Sequence, residues 1–535
     1  MDDIMWDVIV VGSGCSGAMA AQTLVERGLK TLMIDGGAKD TQYQQLIPAK
    51  NFLEIRETFR EQYRIFLGDR FEGIPFGKIS TGEHLTPPRR FMTKWVQEFL
   101  PVVSDTFFPL ESLAYGGLGN GWGLGCCIFS KKELQACGLP VQAMQESYEV
   151  VAKRIGISGE RDDAAPYTAA MVSSLQPGVE MDHNGRNLYA NYQAKKHKLN
   201  RCGFFAGRPS LALITQPTPG RLPYQYRDLD FYCDNDKSAY RPWLTLDTLK
   251  LKNNFLYIGN QCALRFEETS SGVTLHALHL DTQQPQTYRA RKLVLACGVL
   301  GTARMVLRSF DDYSTRLPLL SNPYSYLAAI QPALLGRDTD KRKIGFAQLS
   351  LFYDKYGDQS DVPMGSCYSY RAMMIFHLLK ESPLGVKTAY RFLQFLMPSF
   401  TIIGLFHPEK SGGDKWIQLQ KNTMRVTGDE LHACYRLSDT EKHIIRDTEK
   451  KFSWALRQLN CYVLKKIDPG HGASIHYGGT LPFSDKNERY RLLPDGRLGD
   501  TKNVYVADGS GFRYLPGKGI TFSLMANAHR VALGV

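Results

Sequence analysis

The chain reads as an α/β protein. A parallel-sheet domain is assembled from several separated stretches, and a second, α+β domain is built on an antiparallel sheet. Three observations predict this. A strand, a glycine-rich turn and a helix follow one another near the start, and strand-then-glycine turns of the same kind recur near residues 295 and 506. Between the last two, residues 320–435 alternate apolar and polar residues in short runs, the pattern of antiparallel strands. The turns sit near both ends and in the middle, so the parallel-sheet domain is discontinuous.

The first element is the apolar run Val8-Ile9-Val10-Val11, followed by Gly-Ser-Gly-Cys-Ser-Gly at 12–17 and the helix-like Ala18–Leu24. Gly12 allows a tight turn, Gly14 lets a pyrophosphate approach the backbone, and Gly17 lets helix and strand pack closely. The helix start at Cys15 and Ser16 offers free N–H groups and a partial positive charge to phosphates. A second apolar run, Thr31–Ile34, ends in Asp35, 21 residues beyond Gly14, where an acid accepts hydrogen bonds from an adenosine ribose. Strand, turn, helix, strand and acid in this order predict a bound dinucleotide, NAD or FAD alike.

Residues 111–125 are saturated with glycine, which excludes regular structure and suits a loop lying against a ligand. Residues 140–156 predict a helix, with Tyr148, Val151 and Ile155 on one face. The polar stretch 161–240 reads as loops with short strands. A β meander is expected from 250 (255–258, 263–266, 273–275), then a buried strand at 292–296 ending in Cys297-Gly298, and a helix carrying Arg304, Val306 and Leu307. The apolar segment 384–406, broken by Pro398 and bearing Lys387 and Arg391, reads as a helix followed by a buried strand; an interfacial helix is the alternative. Residues 439–465 predict a long amphipathic helix opened by Ser438-Asp439, with Ile444, Ile445, Phe452, Leu456 and Leu459 on one face. No repeat or low-complexity segment stands out.

At 535 residues the chain needs more than one structural unit. A net charge of +12 favours an anionic partner, but no dense basic tract with aromatic interleaving marks nucleic-acid binding. Eleven cysteines without CxxC spacing suggest no metal quartet and no disulfide framework. With an acidic N-terminus that enters the first strand almost at once, this predicts a cytoplasmic protein without a signal peptide. No uncharged apolar run is long enough to span a membrane.

Four segments together resemble the glucose–methanol–choline family of flavin oxidoreductases. They are the turn at Gly12, Gly14 and Gly17 with Asp35; the loop Gly116-Gly117-Leu118-Gly119-Asn120-Gly121-Trp122-Gly123; the stretch Leu295-Ala296-Cys297-Gly298 through Arg304; and the strand Asn503–Ala507 ending in Asp508-Gly509. The resemblance implies a glutathione-reductase-like FAD domain and non-covalent FAD, since the residue before Trp122 is Gly121 where some relatives carry a flavin-bonded histidine. It also implies cofactor contacts at Ala263, Gly519, Ile520 and Thr521. The domain division then reads 1–160, 241–319 and 463–535 for the FAD domain, and 161–240 and 320–462 for the substrate domain. Within the family, sugar-oxidising members of the pyranose-oxidase and bacterial sugar-biosynthetic type look most similar, from the glycine loop, residues 208–215 and His476-Tyr477-Gly478-Gly479-Thr480.

The chemistry implied is alcohol oxidation, in which a base takes the hydroxyl proton as hydride leaves carbon for flavin N5. A histidine suits that base. His476 stands in the family's context and His471 is the competitor. The family's second His or Asn, eleven residues beyond the Asp-Gly aspartate, is replaced here by Gly519. The adjacent Lys518 either substitutes for it or lies in solvent. The leading expectation is an FAD-dependent dehydrogenase acting on a sugar, aminocyclitol or sugar-containing alcohol, anionic or lipid-linked in keeping with the charge, with an electron acceptor as second substrate. Gly519 motivates an alternative, redox-neutral isomerisation or ketone reduction. Residues 384–406 motivate another, a non-catalytic flavin-binding or membrane-surface protein. No metal site is expected.

Overall fold

Val8, Ile9 and Val10 are buried on both faces of their strand, which is what a run of β-branched residues without alternation demands. That strand, Trp6–Val11, lies between Thr31–Ile34 and Pro285–Leu295 and runs parallel to both. The computed structural model describes the chain except residues 1–4, 51–53, 56–57, 74–84, 227–233, 235, 339, 341–344 and 370–382. The acidic start at residues 1–4, and parts of the stretches 161–240 and 320–435 read above, therefore lie outside the described residues.

The strand Pro285–Leu295 does two jobs. Its first half pairs antiparallel with Gly272–His279, and its second half runs parallel to Trp6–Val11 on one side and Val504–Val506 on the other. The registers Val11↔Leu295 and Leu295↔Val506 make three strands end level. Gly12, Ala296–Gly298 and Asp508-Gly509 therefore emerge together at the carboxyl edge of the sheet, where ligands of open α/β sheets bind. The segment Phe255–Ile258 is not the first strand of the meander: it pairs parallel with Thr31–Ile34 at the sheet edge. Asn260, at φ +57°, turns the chain out of that edge, and the meander is Gln261–Thr269, Gly272–His279 and Pro285–Leu295.

The second sheet has six strands, ordered Tyr462–Ile467, Tyr324–Ile330, Phe400–Phe406, Met364–Ser369, Leu349–Tyr353 and Phe204–Gly207. Leu327, Leu349, Leu351, Cys367, Ile403 and Leu405 form a core with Leu188, Tyr192, Phe452 and Leu456 from two covering helices. By the two-residue period of a strand, Ser350, Met364, Ser366, Tyr368 and Phe406 belong to the opposite face. A separate four-stranded sheet (Leu317–Pro318, Lys415–Lys421, Asp429–Tyr435, Val102–Val103) divides what the alternation in 320–435 suggested was one sheet.

One covering helix, His183–Arg201, stands in the stretch expected as loops. Its apolar stripe is thin and the rest is Asn, Lys, His and Arg. The sheet supplies the burial, and the Asp182 carboxylate caps the start by accepting from the Gly185 N–H at 3.0 Å. The other, Asp439–Gln458, opens at the expected Ser438, which forms a capping box with Glu441, but stops seven residues before 465. Asn460, at φ +55°, ends it, and Tyr462–Ile467 becomes a strand of the antiparallel sheet, so the change of sheet falls after 467, not at 462. Ile444 is exposed, off the buried face. Residues 384–406 form the helix Val386–Leu396 and the strand Phe400–Phe406. Among the described residues no helix is long and apolar enough to cross a membrane.

Candidate active site

The edge where the level strands end opens into a cavity of about 450 Å³ that runs from the first glycine turn to His476. Gly12 needs its φ of +97°, and a Cβ there would lie 2.5 Å from the Ala296 carbonyl oxygen. At Gly17 a Cβ would stand 1.8 Å from the Gly12 oxygen, so this glycine serves strand–helix packing. At Gly14 nothing lies within 4 Å of that position, and its backbone faces the cavity. The helices Cys15–Glu26, Val299–Ser309 and Thr521–Gly534 all begin at the cavity wall, which concentrates free N–H groups and positive partial charge there.

Most residues expected to hold the cofactor line this cavity: Gly12, Gly14, Cys15, Ser16, Asp35, Gly117, Gly119, Gly121, Trp122, Ala263, Ala296, Gly298, Asp508, Gly509, Gly519, Ile520 and Thr521. Gly17, Gly116 and Asn120 sit behind the wall. The Gly116 N–H donates to Ser13 Oγ at 2.8 Å, and the Asn120 amide donates to the Tyr115 and Gly117 carbonyls, holding the loop's turn. Trp122 donates through Nε1 to the Tyr240 carbonyl, and Arg241 clamps the loop by donating to the Trp122 carbonyl at 2.8 Å. Arg241 is 119 residues away in sequence, with no motif to announce it.

Asp35 differs from the expectation of an acid open to a ribose. Oδ2 accepts from Ser13 Oγ, the Gly37 N–H and Tyr257 OH, and Oδ1 from the Ser13 N–H, all within 3.0 Å. Each carboxylate oxygen has about two acceptor positions and Oδ1 uses one, so one on Oδ1 remains for a ligand. Burial pushes the Asp35 carboxyl above the usual range, and the Ser13 and Tyr257 hydrogen bonds oppose it. Asp508 is tied in the same way, accepting from Thr302 Oγ1 at 2.6 Å and from Ser510.

His476 lines the same cavity. Its ring stacks on Phe406 at 4.7 Å and 15°, and Nδ1 lies 3.1 Å from Asn322 Oδ1. Burial lowers its pKa to about 4, so the imidazole is neutral. The preceding Ile475 holds φ +58°, a conformation β-branched residues avoid, and this turns the chain at the site. His471 packs instead against Tyr435, 4.9 Å between rings, and does not line the cavity. Lys518 meets neither expectation: it is 1% exposed, and Nζ is paired with Glu133 at 2.7 Å and donates to the Ile128 carbonyl. It is neither in solvent nor part of the cavity wall. At Gly519 a Cβ would approach the Gly125 carbonyl to 3.4 Å, so the wall there is backbone.

The wall fits a dinucleotide. The open backbone at Gly14 and the three helix starts offer N–H groups and space where the pyrophosphate would lie.

Residues 5–46 match the family model of an FAD binding domain. The chain is 26% identical over 316 residues to 6'''-hydroxyparomomycin C oxidase of Streptomyces lividus, a match covering 58% of this chain and about half (52%) of that relative's length. It is 25% identical to paromamine 6'-oxidase of Streptomyces fradiae over 559 aligned positions, 100% of this chain and 92% of that one. The fold is that of pyridoxine 4-oxidase from Mesorbium loti, with TM-score 0.59, 12% identity and 99% of both chains covered. The turn, the glycine loop, the level strand ends and these likenesses make the chain an FAD-dependent oxidoreductase that resembles the glucose–methanol–choline type.

Proposed function

We propose that the chain oxidises an alcohol carbon of a sugar-like or aminocyclitol-like substrate, with His476 taking the hydroxyl proton. The observation that carries this reading is the neutral, half-buried His476 imidazole on the wall of the same cavity that the dinucleotide turn lines. FAD, when bound, supplies the acceptor for the two electrons that leave the carbon as hydride. Gly14 and the helix starts at Cys15, Val299 and Thr521 bind and orient it. Hydride is a poor leaving group unless an alkoxide forms with it, so a neutral base within reach of the hydroxyl is the chain's own contribution.

Ser350 and Ser366 stand directly opposite each other in the antiparallel sheet, and both line the cavity with Tyr368 and Phe406. Hydroxyls beside aromatic faces suit a sugar ring, whose own hydroxyls need partners and whose C–H face is apolar. The named activities of the two Streptomyces relatives, both oxidases of aminoglycoside-type compounds, support the substrate class and the reaction. Gly519 favours a second reading, redox-neutral isomerisation or ketone reduction, because no side chain there assists the base. Anaerobic addition of a sugar, polyol and aminocyclitol panel separates the two: lasting loss of flavin absorbance supports alcohol oxidation, and turnover with unchanged absorbance supports the second.

A further inference from the structure

Asn322 follows the short strand Leu320–Ser321, which pairs antiparallel with Tyr477-Gly478 in the register Ser321↔Tyr477. One step further along that register brings Asn322 opposite His476. Asn322 is 2% exposed. Its Nδ2 lies 2.8 Å from the His407 carbonyl oxygen, 3.0 Å from that of Pro516 and 3.4 Å from that of Leu515. A backbone carbonyl can only accept, so this end of the amide must be its nitrogen, and the amide cannot be turned over. Oδ1 is thereby fixed on His476 Nδ1. An amide oxygen also only accepts, so Nδ1 must carry the hydrogen.

A neutral imidazole carries a single N–H. With that hydrogen on Nδ1, the lone pair is on Nε2. The Phe406 stack holds the ring plane, and a half-turn of the ring would set a carbon against Asn322 Oδ1 and forfeit the hydrogen bond. We infer that Asn322 is a positioning residue that fixes the tautomer of His476 and so makes Nε2 the proton acceptor. The inference rests on the reading of His476 as the base. It also says how a site with glycine at 519 keeps its base oriented: the constraint comes from behind the ring, through three carbonyls from two other segments.

The test uses the FAD-loaded protein labelled with [15N]histidine, in which long-range 15N–1H spectra report which ring nitrogen is protonated and His476→Gln assigns the signal. The expected wild-type pattern near neutral pH is protonated Nδ1 and bare Nε2. Asn322→Leu should shift the signal toward Nε2 protonation and slow anaerobic flavin bleaching about ten- to hundred-fold. Asn322→Asp, which keeps an acceptor, should retain the Nδ1–H pattern. A wild-type signal with Nε2 protonated overturns the inference, as does an Asn322→Leu protein with unchanged spectrum and bleaching. If Asn322→Leu does not fold, the wild-type and Asn322→Asp spectra decide. Bleaching that survives His476→Gln while the wild-type signal shows Nδ1–H overturns the base reading and leaves the tautomer standing.

Discussion

Lys518 and Glu133 form an ion pair at 2.7 Å in which each side chain is about 1% exposed. Burial pushes the Glu133 carboxyl upward, and Lys518 is the largest influence opposing that. Breaking one half of such a pair leaves an uncompensated buried charge, worth about 3–5 kcal/mol, whereas replacing both halves is close to neutral. Lys518→Met should therefore lower the denaturation midpoint sharply, and Lys518→Met with Glu133→Gln should recover most of it while keeping the cap on Ser130. A lysine acting as a catalytic group would give the opposite result: lost flavin bleaching at unchanged stability.

Gly14 and Gly17 belong to one motif but should respond differently to alanine. Gly17→Ala drives a Cβ into the Gly12 carbonyl and should destabilise the fold by several kcal/mol. Gly14→Ala meets nothing in the protein and should cost no more than about 1 kcal/mol. It should instead weaken FAD binding. Thermal denaturation of the apoprotein and FAD titration by fluorescence separate the two effects. Equal stability losses would contradict the placement of Gly14 at the cavity wall.

Ser13 links two of the motifs. Its hydroxyl donates to Asp35 Oδ2 at 2.7 Å and accepts from the Gly116 N–H at 2.8 Å, tying the first turn to the glycine-rich loop. Ser13→Ala leaves a buried acceptor and a buried donor short of partners, a cost of about 1–3 kcal/mol. FAD affinity should fall about tenfold for each 1.4 kcal/mol that appears in binding, while the pH dependence of bleaching stays the same. A displaced pH profile would mean that the link reaches His476.

The pH dependence has a defined sign. An ordinary histidine is half protonated near pH 6.5, but burial lowers His476 to about 4. The base must be unprotonated to act, so the bleaching rate constant should stay flat as pH falls through 6.5 and decline only toward pH 4. Rapid-mixing measurements across that range check it, and a midpoint near 6.5 would place His476 in solvent contact.

Legibility in the sequence followed chemistry that is local. The turn at 12–17, the loop at 116–123 and the context of His476 each carry their signal within a few residues, and the level strand ends explain why separated motifs converge. The helix His183–Arg201 was hidden because its burial comes from a sheet that the polar stretch does not announce. The roles of Lys518 and Asp35 were decided by distant partners: Glu133 for the lysine, and Ser13 and Tyr257 for the acid. Asn322 reaches His476 through strand pairing, which no spacing in one sequence displays.

The central claim is that His476 accepts the alcohol proton, and anaerobic flavin bleaching by an oxidisable sugar-like alcohol, compared between wild type and His476→Ala at equal FAD loading, tests it most directly. The wild type should lose its flavin absorbance. The variant should keep its bound FAD and bleach about 10²–10⁴-fold more slowly, the contribution of a positioned base. A His476→Ala protein that bleaches at the wild-type rate would contradict the account.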